Sequence, residues 1–378
     1  MTIGRWIAIL ALAGILDSCG GGGAPAPQEP GSRSAGGDGK ALNLYIWSDY
    51  LGKDTLSNFE KQTGIKVHVA YYDTNDTLET KLLAGNSGFD VVVPTSSYFQ
   101  RLIKAGVFTS LDKSRLPNLR NLDAQLMQRL ASFDADNNHG IIYTWGTVGI
   151  GYNEKMVRSL LPDASLDSWR LLFDPAIASK LAKCGISIFD TPTDVLRVAY
   201  MYMGKDANSQ SPEDLTQAEV MLKKIRPFIR NFYSAEYIEA LANGDLCVSM
   251  GYNGDVLQAR DRARDAQTGV EIKYTVPKEG SILWFDTMAI PKDAPNPDSA
   301  YQFLNYIMLP QVIAGISNTI RYANGNAAAS SALKDDVKGD PMIYPPQDVR
   351  LRLSLELTDT PEHTRAAMRM WQKLKSGE

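Results

Sequence analysis

The length and composition of the chain indicate a large folded protein. It has 378 residues, of which 44% are hydrophobic and 22% charged, enough to bury the core of two domains or of one bilobal domain. Because 39 Lys and Arg nearly balance 43 Asp and Glu, with no long basic run and no zinc-binding spacing, we expect no nucleic-acid partner, no metal and no cofactor.

The first 18 residues resemble the signal peptide of a bacterial lipoprotein. The apolar segment WIAILALAGIL is shorter than the roughly 20 residues that a membrane-spanning helix needs. The segment LDSC that follows is similar to a lipobox, in which cleavage before the cysteine leaves its thiol for a diacylglycerol, although Asp17 replaces the small uncharged residue preferred there. We expect residues 1–18 to be removed and Cys19 to carry lipid. Ordinary cleavage to a free periplasmic protein is the alternative.

Residues 20–40, GGGGAPAPQEPGSRSAGGDGK, have the composition of a flexible linker. They are rich in Gly, Pro and Ser and lack apolar periodicity, so they cannot build a core. Residues 19–40 are therefore predicted to tether a folded domain to an anchor, which favours the lipoprotein interpretation.

Export makes the two remaining cysteines informative. In an oxidising compartment, Cys184 and Cys247 most simply form one disulfide, since a zinc site needs more ligands. Two separate buried thiols are the alternative.

After the linker, strand patterns alternate with helix patterns. They are the strand LNLYIW, the helix DTLSNFEKQTG, the strand IKVHVA, the helix DTLETKLLAG, the strand FDVVVP and the helix SYFQRLIKAG. We expect Asp54 to cap the first helix and Gly64 to end it. The order predicts an α/β lobe with a largely parallel sheet. Ligands of such sheets lie beyond the carboxyl ends of the strands, where Trp47 to Tyr50 and Thr95 to Ser97 fall.

A second α/β set runs from about residue 146 to 270. It comprises the strands GTVGIGYN, CGISIFD and DLCVSMGYN and the helices EDLTQAEVMLKKIRPFIRNF and AEYIEALANG. Polar or aromatic residues again follow the strands, among them Asp194, Tyr252 and Asp255. The chain then continues with EIKYTVPKEG, SILWFDTMAIP, the helix PDSAYQFLNYIMLPQVIAGIS, the alternating segment YPPQDVRLRLSLEL and the helix TPEHTRAAMRMWQKLK.

Motifs for catalysis are nearly absent. The three histidines, His68, His139 and His363, lie in no metal-binding spacing, and we expect them to be structural or solvated. Carboxylates remain as candidates for acid/base chemistry, so a hydrolase with paired acids is an alternative. The pattern favours a binding protein over an enzyme.

Aromatic and acidic residues recur together at strand ends. These groups are Trp47 with Asp49 and Tyr50, Tyr252 with Asp255, and Trp284 with Asp286. Aromatic faces attract cations by about 0.5–2 kcal/mol each, and carboxylates form charge-assisted hydrogen bonds with ammonium groups. The combination predicts a site for an organic polycation.

Segments spread over residues 42–377 resemble a known family. They are IWSDYL, NFEKQTGIKV, KLLAGNSGFDVVVP, AGVFTSLDKSRLPN, GIGYN, LANGDLCV, VPKEG and AYQFLNY. Together they resemble the substrate-binding receptors of bacterial polyamine ABC uptake systems, especially the putrescine-binding branch. The resemblance implies a type II periplasmic-binding-protein fold, in which two α/β lobes with mostly parallel sheets are joined by crossover strands. Lobe 1 is predicted at residues 41–144 with 276–320, and lobe 2 at residues 145–275 with 321–378.

The resemblance also implies ligand contacts and a disulfide between Cys184 and Cys247. The ligand positions correspond to Trp47, Ser48, Asp49, Tyr50, Thr95, Asp194, Tyr252, Asp255, Trp284, Asp286 and Tyr322. Asp194 is one methylene shorter than the family's glutamate, and Tyr252 replaces a tryptophan. At the position of Trp284, putrescine receptors tend to have Phe and spermidine receptors Trp.

The resemblance implies an extracytoplasmic receptor that delivers a polyamine to an ABC permease. We expect a monomer, tethered to the membrane through Cys19 only, with putrescine as the favoured ligand. Glu356 stands where the putrescine branch has an apolar residue, so spermidine remains open; alternatively, Glu356 faces solvent. A sensor that reports polyamine to a membrane partner is a further alternative.

Overall fold

The computed structural model describes residues 41–377. The predicted signal peptide (1–18), the lipidation site Cys19 and the linker (19–40) lie outside the described residues and stay predictions.

Strands and helices alternate along most of the described chain. The strands are β1 (Ala41–Trp47), β2 (Lys66–Tyr72), β3 (Val91–Val92), β4 (Gly140–Asn153), β5 (Ile186–Phe189), β6 (Asn231–Tyr233), β7 (Val248–Tyr252), β8 (Ile272–Thr275), β9 (Ser281–Ala289), β10 (Ala323–Asn324) and β11 (Leu353–Leu355). The helices are α1 (Thr55–Thr63), α2 (Asn75–Leu83), α3 (Ser96–Lys104), α4 (Ala124–Leu130), α5 (Glu154–Leu160), α6 (Arg170–Phe173), α7 (Pro175–Leu181), α8 (Pro192–Tyr202), α9 (Pro212–Ile225), α10 (Tyr237–Ala242), α11 (Asn253–Asp265), α12 (Pro297–Ile307), α13 (Pro310–Ile320), α14 (Asp335–Lys338), α15 (Gln347–Arg350) and α16 (Pro361–Ser376). Short 3-10 helices cover Lys113–Arg115, Pro117–Asn121, Ala135–Asn137, Arg226–Phe228 and Ala327–Ser331.

The strand β4 connects two sets of strands. The order across the sheet is β2-β1-β3-β9-β4-β7-β5-β6, with β8 and β10 also paired to β4 and β11 to β9. Residues 140–147 of β4 pair with β9, and residues 148–153 pair with β7 and β8. The outer pairs β1–β2, β1–β3, β5–β6 and β5–β7 are parallel, whereas the antiparallel pairs among the described strands all include β4 or β9. The predicted α/β fold class is confirmed, and the lobe boundaries stay a prediction.

The first strand shows why the sheet is covered on both faces. In β1, Leu42, Leu44 and Ile46 are fully buried in one hydrophobic core, and Tyr45 faces a second core on the opposite side. A strand alternates its side chains between the two faces of a sheet. Parallel strands buried on both faces place their carboxyl ends at one edge, which is where a ligand site forms.

Two predicted helices are shorter than the sequence pattern suggested. The segment PDSAYQFLNYIMLPQVIAGIS forms two helices, α12 and α13, with Pro310 as the first residue of the second. The helix predicted over EDLTQAEVMLKKIRPFIRNF ends at Ile225, and a 3-10 turn containing Pro227 follows. The reason is the same in both cases, because proline lacks the N–H of a helical hydrogen bond and its ring clashes with the preceding turn.

The ends of α1 are placed as predicted, but one cap forms differently. Gly64 has a φ of 73° and its N–H donates to the carbonyl of Glu60, so it ends the helix in the left-handed conformation. Asp54 occupies the N-cap position, although its side chain makes no capping hydrogen bond.

A disulfide joins Cys184 and Cys247, with 5.4 Å between their Cα atoms. It links the turn before β5 to the residue before β7, two neighbouring parallel strands. The alternative of two separate thiols is therefore excluded. The bridge ties together the amino ends of these two strands, and it stabilises the fold because it closes a loop of 63 residues in the unfolded chain.

Candidate ligand-binding site

Two carboxylates lie in the first turns of helices that directly follow parallel strands. Asp194 is in α8, after β5, and Asp255 is in α11, after β7. Because β5 and β7 are parallel neighbours, their carboxyl ends bring the two helix N-termini to one edge of the sheet. A helix N-terminus favours negative charge, so these carboxylates are compatible with their position even when buried.

Asp286, in β9, is held by two hydroxyl groups. Tyr50 donates to its Oδ2 at 2.7 Å and Thr95 to its Oδ1 at 2.6 Å, and the Tyr50 hydroxyl also lies 2.8 Å from the Oγ1 of Thr144. Asp286 is 5% exposed, and burial raises its pKa to about 6, although both hydrogen bonds oppose the shift. The structure therefore joins three predicted site residues from distant parts of the chain.

Asp255 accepts hydrogen bonds from two tyrosines. The hydroxyl of Tyr322 lies 2.6 Å from its Oδ1, and the hydroxyl of Tyr237 lies 2.7 Å from its Oδ2. Burial raises the pKa of Asp255, and both hydrogen bonds oppose that shift. Tyr322 was predicted for the site, whereas Tyr237 was missed.

Asp194 accepts a hydrogen bond from Tyr252, whose hydroxyl donates to its Oδ2 at 2.9 Å. Asp194 is 5% exposed, and burial together with the charge of Glu356 raises its pKa to about 7. The Tyr252 hydrogen bond and the charge of Arg197 oppose this shift.

Glu356 is buried, not on a solvent face. It follows β11, is 8% exposed, and accepts a hydrogen bond from the hydroxyl of Ser97 at 2.9 Å. Burial raises its pKa, and the charge of Arg197 opposes the rise. The alternation of LRLSLEL was a weak signal for this position, because Glu356 lies beyond the end of β11, which pairs with β9.

The four carboxylates act on one another and form one cluster, which we call the acidic cluster: Asp194, Asp255, Asp286 and Glu356. The charges of Glu356 and Asp255 both raise the pKa of Asp286, and the charge of Glu356 raises that of Asp194. The nearby Arg197 lies 3.0 Å from the carboxylate of Asp359, and its charge also lowers the pKa values of Asp194 and Glu356. The carboxylates of the cluster therefore outnumber the cations beside them in a desolvated place, which favours binding of a further cation.

Aromatic rings line the acidic cluster. The ring of Trp284 lies 5.9 Å from that of Tyr252 and 5.1 Å from that of Tyr322, both nearly perpendicular to it. The ring of Tyr50 lies 5.7 Å from that of Tyr322. The indole N–H of Trp284 is buried and has no hydrogen-bond partner among the described residues. We call the rings of Tyr50, Tyr252, Trp284 and Tyr322 the aromatic wall; their apolar faces lie beside the carboxylates of the acidic cluster.

Three predicted site residues lie at the margin of the acidic cluster. The indole N–H of Trp47 donates to the carbonyl of Val93 at 3.0 Å. Ser48 and Asp49 are exposed, and Ser48 donates to Asp73 at 2.9 Å. Among residues 41–377, neither forms a hydrogen bond with the acidic cluster. They line an open groove of about 510 Å³ that is bordered by Ser48, Asp49, Tyr50, Leu51, Gly52, Lys53, Leu56 and Tyr71.

The chemistry of the site favours an organic cation. Residues 41–377 contain no group of three or more His, Cys, Asp or Glu arranged to hold a metal ion. The three histidines lie elsewhere: His68 is exposed on β2, His139 pairs with Asp134 at 2.8 Å, and His363 is buried in α16. Buried carboxylates that receive only O–H donors keep free acceptor positions, which ammonium groups can fill between the aromatic faces.

The fold, together with the acidic cluster and its aromatic lining, is that of a solute-binding protein. Residues 55–345 match the family of bacterial extracellular solute-binding proteins, and the chain belongs to that family. The predicted resemblance to polyamine receptors is confirmed by relatives in the same family. The chain is 47% identical over 343 residues to the putrescine-binding periplasmic protein SpuD of Pseudomonas aeruginosa (strain UCBPP-PA14), covering 90% of this chain and 93% of that protein. It is also 47% identical over 341 residues to the putrescine-binding periplasmic protein PotF of Escherichia coli (strain K12), covering 90% and 92%.

Solved structures agree with this class. A putative spermidine/putrescine ABC transporter from Listeria monocytogenes superposes with a TM-score of 0.79 at 29% identity, covering 90% of this chain and all of that chain (100%). The spermidine/putrescine ABC transporter substrate-binding protein PotD from Streptococcus pneumoniae superposes with a TM-score of 0.77 at 27% identity, covering 89% and 99%. These relatives are transport binding proteins and not enzymes, as predicted. No helix within residues 41–377 is long and apolar enough to cross a membrane.

Proposed function

We propose that this protein is an extracytoplasmic receptor that binds a polyamine in the cleft and delivers it to the permease of an ABC transporter. The observation that carries the proposal is the acidic cluster, in which buried carboxylates raise one another's pKa. The named ligands of its relatives, putrescine and spermidine, have the complementary charge.

On binding, each ammonium group of the ligand exchanges its surrounding water for the buried carboxylates of the site. Removing an ammonium group from water is costly unless it meets carboxylates and other acceptors. Asp255 and Asp286 are proposed to hold the two ends of a diamine, while Asp194 completes the neutralisation. The methylenes lie along the rings of the aromatic wall. A butane spacer separates its nitrogens by roughly 6 Å, so the spacing of the carboxylates sets the preferred length.

The full proposed ligand set keeps every predicted position. It is Trp47, Ser48, Asp49, Tyr50, Thr95, Asp194, Tyr252, Asp255, Trp284, Asp286 and Tyr322. The hydroxyl groups of Tyr50, Thr95, Tyr252 and Tyr322 act by orienting the carboxylates that they contact. Binding favours the closed arrangement of the two lobes, and that closed form is what the permease recognises.

The proposal includes location and assembly. The relatives are named periplasmic proteins, and we propose the same compartment here, with Cys19 lipidated and linked to the folded domain by residues 20–40. The tether would hold a monomer near the permease without a membrane-spanning segment.

Isothermal titration calorimetry of the purified protein tests the proposal. The titrants are putrescine, cadaverine, spermidine and the monoamine butylamine. We expect micromolar or tighter binding of at least one polyamine, which corresponds to about 8 kcal/mol or more, and much weaker binding of butylamine, which leaves one buried carboxylate unpaired. Asp255→Asn is expected to weaken binding by about tenfold or more, because it removes one charge from a buried pair. The exposed Asp163→Asn is the matched control. Absence of polyamine binding, or unchanged affinity in Asp255→Asn, contradicts the proposal or the site, respectively.

A further inference from the structure

We propose that Arg321 is a positioning residue of the cleft: its ion pair with Asp261 fixes the end of α13 on α11 and thereby holds the hydroxyl of Tyr322 on Asp255. The inference rests on the proposed polyamine-binding function and assigns a further residue to it. Arg321 acts through its neighbour Tyr322, since its own ion pairs go to Asp261 and Asp336, which lie outside the acidic cluster.

The backbone of Arg321 has a conformation that usually belongs to glycine. Arg321 follows the last residue of α13 with a φ of 61° and a ψ of 22°, and its N–H donates to the carbonyl of Ser317 at 3.0 Å. This left-handed region is unfavourable for a residue with a Cβ, and α1 and α16 end in the same way with Gly64 and Gly377. A strained residue persists where the surrounding contacts fix it, so the side chain of Arg321 is expected to make contacts that glycine could not make.

The guanidinium group of Arg321 supplies those contacts. Its Nε donates to the Oδ2 of Asp261 at 2.9 Å, and its Nη1 donates to the Oδ2 of Asp336 at 2.9 Å. The side chains of Arg321 and Asp261 are only 12% and 17% exposed, so water and salt screen this pair less than a surface pair. Asp336 is 61% exposed, and the ion pair with Asp261 is therefore the one that fixes the turn.

The end of α13 lies along one face of α11. Gly254, Gln258 and Asp261 are spaced by four and three residues, which places them on the same side of that helix. Gln258 donates from its side-chain amide to the last carbonyl of α13 at 3.4 Å, and Asp261 binds Arg321. A Cβ at Gly254 would lie only 2.5 Å from the ring of Tyr322, so the ring rests directly on the backbone of α11.

This close approach brings the hydroxyl of Tyr322 to the first turn of α11. The hydroxyl donates to the Oδ1 of Asp255 at 2.6 Å and accepts from the N–H of Asp255 at 3.3 Å. Because Tyr322 directly follows Arg321, a change in the turn at Arg321 moves the ring and takes the hydroxyl away from both atoms. Asp255 is proposed to hold one end of the ligand, so the affinity depends on Arg321 through the orientation of this carboxylate.

A double-mutant cycle between Arg321 and Tyr322, measured by titration calorimetry with putrescine, tests the inference. Arg321→Gly keeps the left-handed turn accessible and removes the ion pairs. We expect it to weaken putrescine binding by about fivefold or more in the unmodified protein, but by less than about twofold in the Tyr322→Phe background, where the hydroxyl that Arg321 positions is absent.

Gln267→Gly is the matched control. Gln267 is exposed, has a φ of 53° and lies beyond the opposite end of α11 from Asp255, so its replacement is expected to leave the affinity unchanged. Thermal melts check the folding of each variant. Arg321→Asn is the second variant if Arg321→Gly perturbs the fold, because asparagine also tolerates the left-handed conformation.

The outcomes separate the two proposals. A loss of affinity that nearly disappears in the Tyr322→Phe background supports the assignment of Arg321. Equal changes in both backgrounds, as a long-range effect of the lost charge would give, or no change in either, overturn it while the proposed function stands. If the unmodified protein binds no polyamine, the proposed function fails and the inference with it.

Discussion

The rings of Tyr50 and Tyr322 meet at 5.7 Å, and their hydroxyl groups hold two different carboxylates. Tyr50 donates to Asp286 on β9, and Tyr322 donates to Asp255 on α11. This pair of rings therefore joins the two acids that we propose as the ends of a diamine site. A change at either ring is expected to affect both carboxylates, because the rings share one packed contact.

The stability of the ligand-free protein is expected to fall as pH rises from about 4 to about 7. Burial and Glu356 raise the pKa of Asp194 from 3.8 to about 7, so the folded state holds a proton that the unfolded state loses. Stability from this group is present in full below the unfolded pKa and is lost as pH rises through the folded pKa. The loss is at most about 4 kcal/mol, since one pKa unit corresponds to about 1.4 kcal/mol.

Urea unfolding at several pH values measures this effect. Asp194→Asn is expected to flatten the decline without removing it, because burial also raises the pKa values of Asp286, Asp255 and Glu356. An equally steep decline in Asp194→Asn contradicts the assignment of the pH dependence to Asp194. The exposed Asp163→Asn is the control and is expected to follow the unmodified protein.

Binding of a polyamine at pH 7 is expected to release protons. An ammonium group placed near Asp194 favours the charged carboxylate and lowers its pKa from about 7. Affinity is therefore expected to rise between pH 5 and about pH 7.5. Calorimetry in buffers with different ionisation enthalpies measures the number of protons released, and a binding enthalpy independent of the buffer would contradict this linkage.

Tyr237→Phe is expected to weaken polyamine binding by about three- to tenfold, because Asp255 loses one of its two hydroxyl donors. The same change removes the acceptor for the backbone N–H of Tyr252, so the wall loosens as well. Tyr233→Phe is the matched control, since the hydroxyl of Tyr233 makes no hydrogen bond among the described residues. Titration calorimetry gives the affinities, and equal values for the two variants would show that Tyr237 has no role in the site.

Gly146→Ala is expected to destabilise the protein by about 1–3 kcal/mol and to displace Trp284. A Cβ at Gly146, in β4, overlaps the indole of Trp284 and the side chain of Asn253. Gly315→Ala is the control, because a Cβ at Gly315 meets nothing within 4 Å in the helix α13. Thermal melting and tryptophan fluorescence report the two effects. A stability of Gly146→Ala equal to that of the control would mean that the close packing is dispensable.

The sequence predicted many secondary-structure elements because their signals are local. The alternation of LNLYIW predicts β1, and Gly64 ends α1 through a backbone conformation that glycine adopts easily. The two helices that were predicted too long contain Pro310 and Pro227, and an apolar periodicity continued past each proline. The apolar periodicity continues on both sides of each proline, but the helix is interrupted there because proline lacks the N–H of a helical hydrogen bond.

The order of strands determined much of the candidate site. Tyr252 ends β7, and Asp194 and Asp255 follow β5 and β7, which are parallel neighbours, so all three residues come to one edge of the sheet. Tyr237 could not be found this way, and Ser97, although predicted to lie just past a strand end, could not be linked to Glu356. Each contributes a hydroxyl from a helix, and the carboxylates that they contact lie 18 and 259 residues further along the chain, respectively.

By itself, the sequence determined the alternation of strands and helices, the acidic and aromatic residues at strand ends and the family to which the chain belongs. Only the tertiary structure decided that Glu356 is buried with Asp194 and Asp286, and that Ser48 and Asp49 lie exposed at the margin. The physical reason is that local periodicity follows from backbone geometry, whereas the burial and pKa of a carboxylate depend on side chains brought together from distant parts of the chain.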